Sequence, residues 1–544
     1  MVKKINWLLI IILLLAMGLR IPGLSRYPAG FTPDEAAFGY NAYSLLKTGK
    51  DEWGMTWWKL FFFNMRSFGD YKLPLYTFLA VPSIAWLGLS EFAVRLPGAI
   101  LGATALIGVY YLAKELFPKN SRIAYLAALL LAISPWHIQL SRGAFEANLI
   151  TFFLPWIVYF FLKKSYFAAA VFLALSIYSY HTARYLAPLF VMILLLTQKI
   201  KLTRKLLLAA VVLAVLSLPA LVSVLTSGRT RVADVSILSP TDNWAGVASR
   251  RFEARNLGLP DGVARIFSNK VTQSAATFSH NYLGYLSPDF LFVSGAAEAS
   301  HGMIPGRGVM YTIELIFLVG YLIALIKTKS PALILLGLLL LVAPIPAALS
   351  KGLGHATNRA ASMMPILIIM TAVGIDYLLD SYKKHSAWAA KIIVIAYSVA
   401  LVFFLEDYIF HAPKITALAM SYGWRELMPR LSGIAKEYDQ VQVSRSLSEP
   451  HIFIAFYQKI DPKEYQAQSQ HWANFDQGGL KFLDQYDGYT LGKYRFGTLD
   501  PSQAGSQRTL LVGKPANIPP KYGQYFSIYF PDGNPAIQVS KVAP

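Results

Sequence analysis

Apolar runs separated by short basic connections constrain the fold of this chain more than any other feature. One run lies at about 5–22, and ten more follow between residues 94 and 410. Most approach the ~20 residues that an α-helix needs to span a bilayer. Because 55% of the 544 residues are hydrophobic, the sequence predicts an all-α polytopic membrane protein with about eleven transmembrane helices. The ten later runs fall at 94–113, 122–140, 147–163, 166–180, 184–198, 205–225, 309–326, 331–349, 360–380 and 388–410.

Basic clusters recur at every second connection between these runs. The positive-inside rule places such connections in the cytoplasm and the intervening ones outside. The alternation holds only if the apolar segment 73–89 does not cross, so we predict a juxtamembrane or re-entrant helix there. No small-residue cleavage site follows the first run, which indicates an uncleaved signal anchor. The basic clusters are Lys114/Lys119/Arg122, Lys163-Lys164, Lys199/Lys201/Arg204/Lys205, Lys327/Lys329 and Lys383-Lys384.

The topology divides the chain into two predicted domains. Residues 1–410 form the membrane domain, with a first external loop at 24–93 and another at 226–308. The tail 411–544 is polar, with strand-like runs at 440–443 and 489–491 and with turn signals, so we predict a small extracytoplasmic α/β domain.

Composition excludes several classes of function. The net charge is +20, but the basic residues lie mostly at membrane connections, so we predict lipid headgroups as their partners and no nucleic acid. The chain has no cysteine, which excludes disulfides and thiolate sites. It contains no histidine metal motif and no glycine-rich phosphate loop, so we predict no cofactor and no nucleotide-sugar donor. A divalent metal on oxygen ligands at Asp34 or Glu146 stays open.

Asp34 and Glu35 follow the first apolar run, at the predicted external boundary of the membrane. A carboxylate there can act as a general base toward a lipid-borne substrate. Asp34 is the predicted base, and Glu35 or Glu146 is the next candidate. The alternative is that Asp34 and Glu35 start a helix after Pro33, where acidic residues are favoured. Both interpretations can hold together.

Several cationic side chains are candidates for binding a phosphate at the same face. Arg184, with His181 nearby, lies between two short apolar runs, where ionisable residues usually line a polar cavity. His355 and Arg359 would share a helical face if a helix begins early. Lys72 follows Asp70 and Tyr71. The alternatives are a lysine that extends toward headgroups and arginines that cap helix ends.

Four motifs resemble the polyprenyl-phosphate-sugar glycosyltransferases of the GT-C superfamily, which includes protein O-mannosyltransferases and aminoarabinose transferases. They are FTPDEA at 31–36, GDYKLPLY at 69–76, EFAVRLP at 91–97 and PIPAAL at 344–349, the last followed by His355 and Arg359. The resemblance covers about residues 5–410. In two places the chain departs from the family: Leu73 replaces the first proline after Lys72, and Glu146 stands where the second loop usually offers an aspartate.

The resemblance implies the fold and the activity. It implies a GT-C type membrane domain in which an acidic residue of the first loop, here Asp34, is catalytic. The donor would be a polyprenyl-phosphate sugar, and the acceptor a protein, lipid or cell-wall glycan outside the cytoplasm, with inversion at the sugar. A bacterial or archaeal plasma membrane is the expected location. The sugar and the acceptor stay open.

Two other functions fit a polytopic chain. A transporter or lipid flippase would also carry intramembrane charges, but such proteins are often built from inverted repeats, and no internal repeat is evident here. A non-catalytic receptor of the same fold would have lost the carboxylates, whereas Asp34, Glu35 and Glu146 are all present.

Overall fold

Apolar helices build most of this molecule, and a mixed β-sheet lies near its C-terminus. The computed structural model describes residues 6–226, 236–239, 244–297, 299–351, 356–472 and 482–542. The helices up to residue 226 are α1 (Trp7–Arg20), α2 (Pro33–Thr48), α3 (Leu60–Phe63), α4 (Leu75–Leu87), α5 (Glu91–Leu116), α6 (Ser121–Ile133), α7 (Pro135–Ser141), α8 (Leu149–Leu162), α9 (Tyr166–Ile177), α10 (His181–Thr197) and α11 (Arg204–Thr226). The later helices are α12 (Ala245–Asn256), α13 (Asp261–Phe267), α14 (Lys270–Tyr285), α15 (Glu314–Thr328), α16 (Pro331–Val342), α17 (Ile345–Ala348), α18 (Met363–Ser381), α19 (Ser386–Glu406), α20 (Ala412–Thr416), α21 (Trp424–Ile434), α22 (Pro450–Gln458) and α23 (Pro462–Trp472).

Each predicted apolar run forms helix in the structure. Within the described residues, five helices are long and apolar enough to cross a membrane, or six if α6 and α7, bent by 56°, form one span. Five shorter apolar helices accompany them. The bend falls at Ser134-Pro135, because proline lacks the N–H that a continuous helix would use. The count of about eleven spans therefore stays a prediction.

Several predicted cytoplasmic connections meet at one end of the helix bundle. Arg122 pairs with Asp376 at 2.5 Å and with Asp380 at 2.6 Å, so the start of α6 contacts the end of α18. Lys327, at the end of α15, lies over the ring of Tyr377 at 5.8 Å. These contacts bring three of the predicted cytoplasmic connections together at one end of the bundle.

Helix α4 occupies the segment that we predict not to cross the membrane. At its start, the Leu75 N–H donates to the Tyr178 carbonyl, 3.3 Å away, just before the predicted external turn at 181–184. Beyond its end, Glu91 is bonded to Arg425 and Tyr457 of the C-terminal part. Both flanks of α4 therefore contact segments that the prediction places outside.

A six-stranded mixed sheet organises the tail. Its order is β4-β5-β3-β6-β8-β7, with β3 parallel to both β5 and β6 and the remaining pairs antiparallel. The strands predicted at 440–443 and 489–491 are confirmed as β3 and β4. The strands are β3 (Gln440–Ser444), β4 (Thr490–Leu491), β5 (Tyr494–Gly497), β6 (Thr509–Gly513), β7 (Gln524–Tyr529) and β8 (Pro535–Lys541), and a separate hairpin in the first loop pairs β1 (Met65–Ser67) with β2 (Asp70–Lys72).

One hydrophobic core joins the first loop to the C-terminal part. Buried residues of α2, α4 and the start of α5 share a cluster with α21, α22 and the sheet. The ring of Phe31 lies 4.9 Å from that of Phe456. Gly39 allows this close approach, because a Cβ there would lie 2.6 Å from Phe456 and 2.5 Å from Val94. The sheet is therefore packed firmly on the loop that carries Asp34.

The start of α2 is fixed by Thr32 and Glu35. The Glu35 N–H donates to the Thr32 hydroxyl at 3.2 Å, and the Thr32 N–H donates to Glu35 Oε2 at 3.0 Å. This reciprocal capping box satisfies N–H groups that the first helical turn leaves free. The alternative interpretation of Asp34 and Glu35 as a helix start after Pro33 is thus confirmed.

Glu35 also forms a fully buried ion pair with Arg95 of α5. Arg95 Nε donates to Glu35 Oε1 at 2.7 Å, and both side chains are 0% exposed. The other Arg95 nitrogens donate to Glu35 Oε2 and to the carbonyls of Leu24, Pro28 and Gly30. A single guanidinium therefore fixes α2 and the segment before it against α5.

We predict that single-cysteine variants will reveal how the chain is oriented in the membrane, since the chain has no cysteine of its own. Cysteines at the exposed positions Lys119 and Lys201 should resist an impermeant thiol reagent in intact cells, because both lie in predicted cytoplasmic connections. Cysteines at Lys50 and Lys436 should react. The reverse pattern would mean that Asp34 faces the cytoplasm.

Breaking the buried pair should cost far more stability than breaking an exposed one. Arg95→Met leaves the Glu35 carboxylate buried without its cation, for which we expect a loss of about 3–5 kcal/mol. Arg265→Met removes an exposed pair with Asp261 and should cost about 0–1 kcal/mol. Thermal unfolding in detergent compares the two variants. Equal melting temperatures would show that the buried pair does not hold the loop.

Candidate active site

A cavity of ≈310 Å³ lies where the first loop meets the C-terminal part. The membrane part contributes the start of α2, the connection before α8 and the segment near residue 301, and the tail contributes the turns beside β3 and after residue 481. The lining residues are Thr32, Pro33, Asp34, Phe68, Phe145, Glu146, His301, Ala419, Ser448, Glu449, Phe482 and Asp484.

Asp34 lies in this cavity with its side chain 44% exposed, whereas its ion-pair partner Lys72 is only 2% exposed. Lys72 also lies 3.5 Å from Asp70 Oδ2. The β1–β2 hairpin positions the lysine, since Lys72 pairs with Met65 across it. A buried cation thus holds a solvent-accessible carboxylate at the cavity wall, which favours the ionised form of that carboxylate.

Glu35 does not line the cavity, although it is adjacent to Asp34 in sequence. Its Oε1 accepts from Arg95 and from the Ala144 N–H at 3.0 Å, and its Oε2 accepts from Thr32 and Arg95. Both oxygens are therefore occupied inside the protein. Through Ala144, Glu35 also fixes the connection that carries Glu146 into the cavity.

Glu146 and His301 line the same cavity from the membrane part. His301 Nε2 is hydrogen-bonded to Asn358 Nδ2 at 3.1 Å, and its ring packs edge-on against Phe145. Burial lowers the pKa of His301, so the ring is neutral near pH 7. Sequence reasoning missed His301, because it stands in a predicted external loop with no metal or catalytic motif around it.

Glu449 and Asp484 bring two further carboxyl groups into the cavity from the tail. Burial raises the pKa of Glu449 well above its usual value, and the nearby Asp484 carboxyl group raises this pKa further. Burial also raises the pKa of Asp484. The sequence carried no signal for these residues, because they are more than 400 positions from Asp34 and lie in no recognisable motif.

Arg184 and His181 line a different cavity, of ≈290 Å³, whose remaining walls are largely apolar side chains of α9 and α11. Arg184 Nη2 donates to Ser223 Oγ at 3.0 Å and to Asn64 Oδ1 at 3.4 Å. Asn64 immediately precedes β1, the partner strand of Lys72. Segment 64–72 therefore contacts one lining residue of each cavity, because Lys72 pairs with Asp34 and Asn64 accepts from Arg184.

The remaining predicted residues are dispersed. Tyr71 lines a third cavity, with Trp53 and Arg66. Arg359 lies in turns before α18 and donates to the Lys351 carbonyl at 2.8 Å. Its predicted partner His355 lies outside the described residues. In the part of the chain that the structure describes, no group of three or more His, Asp or Glu side chains is arranged to hold a metal ion.

Comparisons with known proteins agree with this architecture. Residues 72–222 match the family model "Dolichyl-phosphate-mannose-protein mannosyltransferase". No curated protein sequence matches the chain.

Solved structures give a match over the whole length. The crystal structure of ArnT from Cupriavidus metallidurans bound to undecaprenyl phosphate superimposes with a TM-score of 0.54 at 12% identity, covering 99% of this chain and 98% of that one. The apo structure of the same protein superimposes with a TM-score of 0.54 at 12% identity, and the match covers 98% of this chain and 97% of that one. A third structure is that of the archaeal oligosaccharyltransferase AglB from Archaeoglobus fulgidus in complex with an inhibitory peptide and a dolichol-phosphate. It superimposes with a TM-score of 0.46 at 15% identity, and the match covers 99% of this chain and 74% of that one.

The likeness to ArnT extends over the helices and the C-terminal part alike, and the mannosyltransferase model covers α4 to α11. The resemblance to the GT-C glycosyltransferases that the motifs indicated is therefore confirmed by the family model over residues 72–222 and by a fold similar to that of ArnT.

Proposed function

We propose that this protein transfers a sugar from a polyprenyl-phosphate donor to an extracytoplasmic acceptor, with inversion at the sugar. The observation that carries the proposal is the Asp34 carboxylate, which lies accessible in a cavity and is paired with a buried lysine. The family model and the fold support the same reaction class. The cavity would face the outside of a plasma membrane, where the acceptor arrives.

Asp34 has the features of a general base. In the proposed step the acceptor hydroxyl oxygen attacks the anomeric carbon, the bond from that carbon to the phosphate oxygen breaks, and the acceptor proton passes to Asp34. A base must be accessible and ionised to take that proton. Asp34 meets both needs, whereas both oxygens of Glu35 are already bonded inside the protein. We assign Glu35 a positioning role, and Glu146 remains the second candidate for the base.

Cations beside the hairpin are suited to the leaving phosphate, which gains charge when the sugar departs. Lys72 presents a point charge next to Asp34, and Arg184 presents a planar fork that matches two phosphate oxygens. The apolar walls around Arg184 suit the prenyl chain next to that phosphate. We therefore place the lipid phosphate between Arg184 and Lys72, with the sugar in the cavity of Asp34.

Asp34→Asn should abolish most turnover and leave the donor bound. The amide keeps the size of the side chain but accepts no proton, so single-turnover sugar release from a radiolabelled polyprenyl-phosphate sugar should fall by ~10²–10⁴. Donor affinity should change little, because the base acts mainly in the transition state.

Asp532→Asn is the matched control, since Asp532 is exposed in a turn at 532–534 where asparagine is equally suitable. It should behave as the wild type does. If Asp34→Asn retained more than about a third of wild-type turnover, the base would have to be another group, and Glu146 would be tested next.

A further inference from the structure

The Asp34 cavity receives a buried carboxyl group from the C-terminal part that the proposed reaction does not use. Glu449 follows β3 and a short 3-10 turn, and it precedes Pro450 at the start of α22. It lines the cavity and is only 4% exposed. Its backbone has a φ of 47°, a left-handed conformation that residues other than glycine rarely adopt.

One oxygen of this side chain is unsatisfied. Glu449 Oε2 is buried and has no hydrogen-bond partner among the described residues. The nearest nitrogen that could carry charge is His451 Nδ1, 3.7 Å away, but burial lowers the pKa of His451 to about 3. That histidine is neutral and supplies no cation. An unpaired buried acceptor is destabilising, so a ligand that donates a hydrogen bond to this oxygen would be bound favourably.

The charges around Glu449 restrict the ligand. Asp484, Lys72, Glu52 and Asp34 are the ionisable groups that act on it, and three of these four are acidic. Because acidic groups outnumber the one cation here, the site favours a neutral ligand over the lipid phosphate. Because Glu449 favours its protonated form, it can both donate and accept, which matches the hydrogen-bonding character of sugar hydroxyls.

We propose that Glu449, with Asp484 beside it, binds hydroxyl groups of the donor's sugar and so recognises the sugar from the C-terminal part. This inference rests on the proposed function. Glu449 lines the same cavity as Asp34, beside which the reacting sugar must lie. A cavity of ≈310 Å³ is at the small end of ligand sites, about 300–1,000 Å³. It suits a sugar and excludes a folded acceptor.

The test compares the donor with and without its sugar. Affinities of the purified full-length protein in detergent are measured for undecaprenyl phosphate and for undecaprenyl-phosphate-linked mannose, glucose and galactose. The wild type should bind at least one sugar-bearing lipid more tightly than undecaprenyl phosphate. Glu449→Met should weaken that binding by about tenfold, as expected for the loss of one or two hydrogen bonds. Its affinity for undecaprenyl phosphate should stay within about twofold of the wild-type value.

Two further variants keep the result interpretable. Glu437→Met makes the same substitution at an exposed position of the C-terminal part and should leave all four affinities unchanged. Glu449→Asp keeps the acid but withdraws it by one methylene group, so it should also weaken the binding of the sugar-bearing lipid. This second variant decides the matter if Glu449→Met fails to fold, which its melting temperature would reveal.

The outcomes separate this inference from the function on which it rests. If the wild type binds a sugar-bearing lipid preferentially and neither Glu449 variant changes that preference, the inference is overturned and the proposed function stands. It is also overturned if the wild type binds all four lipids equally. A wild type that binds none of the four contradicts the proposed function itself.

Discussion

The buried ion pair between Glu35 and Arg95 is the interaction on which the rest of the site depends. Taking both charges out of water is costly, and the cost is offset only when every donor and acceptor is satisfied. Here the guanidinium bonds one carboxylate and three carbonyls, and the carboxylate also accepts from the Thr32 and Ala144 N–H groups. Neighbouring residues of a helix point about 100° apart. Fixing Glu35 inward therefore directs Asp34 into the cavity.

The same pair explains why two adjacent carboxylates have different environments. Glu35 is wholly enclosed, whereas the Asp34 side chain is nearly half exposed and paired with Lys72. A carboxylate whose oxygens are already occupied cannot take a proton from a substrate without breaking those bonds. The different roles proposed for Asp34 and Glu35 thus follow from the difference in their burial. The amino-acid types alone do not reveal this difference.

Local patterns in the sequence were enough to predict the helices and the start of the site. Hydropathy located the apolar helices, and the FTPDEA motif pointed to Asp34 because a helix start and a short motif leave clear local signals. Pairings between distant segments leave no such signal, which is why Glu35 with Arg95 was not foreseen. His301 and Glu449 were missed for the same reason, since only the folded chain brings them to Asp34.

The C-terminal part is continuous with the site. Its helices share a hydrophobic core with the first loop, and the Leu483 N–H donates to the Phe68 carbonyl at 3.1 Å, close to the cavity wall. Movement of the sheet relative to α2 would therefore alter the cavity itself. The division at residues 410 and 411 remains a description of composition, because the packing runs across it.

The central claim is that the donor's reacting end lies across the β1–β2 hairpin, with its sugar beside Asp34. A cryo-electron microscopy structure of Asp34→Asn with an undecaprenyl-phosphate-linked sugar tests this most directly, since the variant should bind the donor without consuming it. The account predicts a phosphate within hydrogen-bond distance of Lys72 or Arg184, and an anomeric carbon that faces residue 34. A donor whose phosphate and sugar both lie outside these two cavities would contradict it.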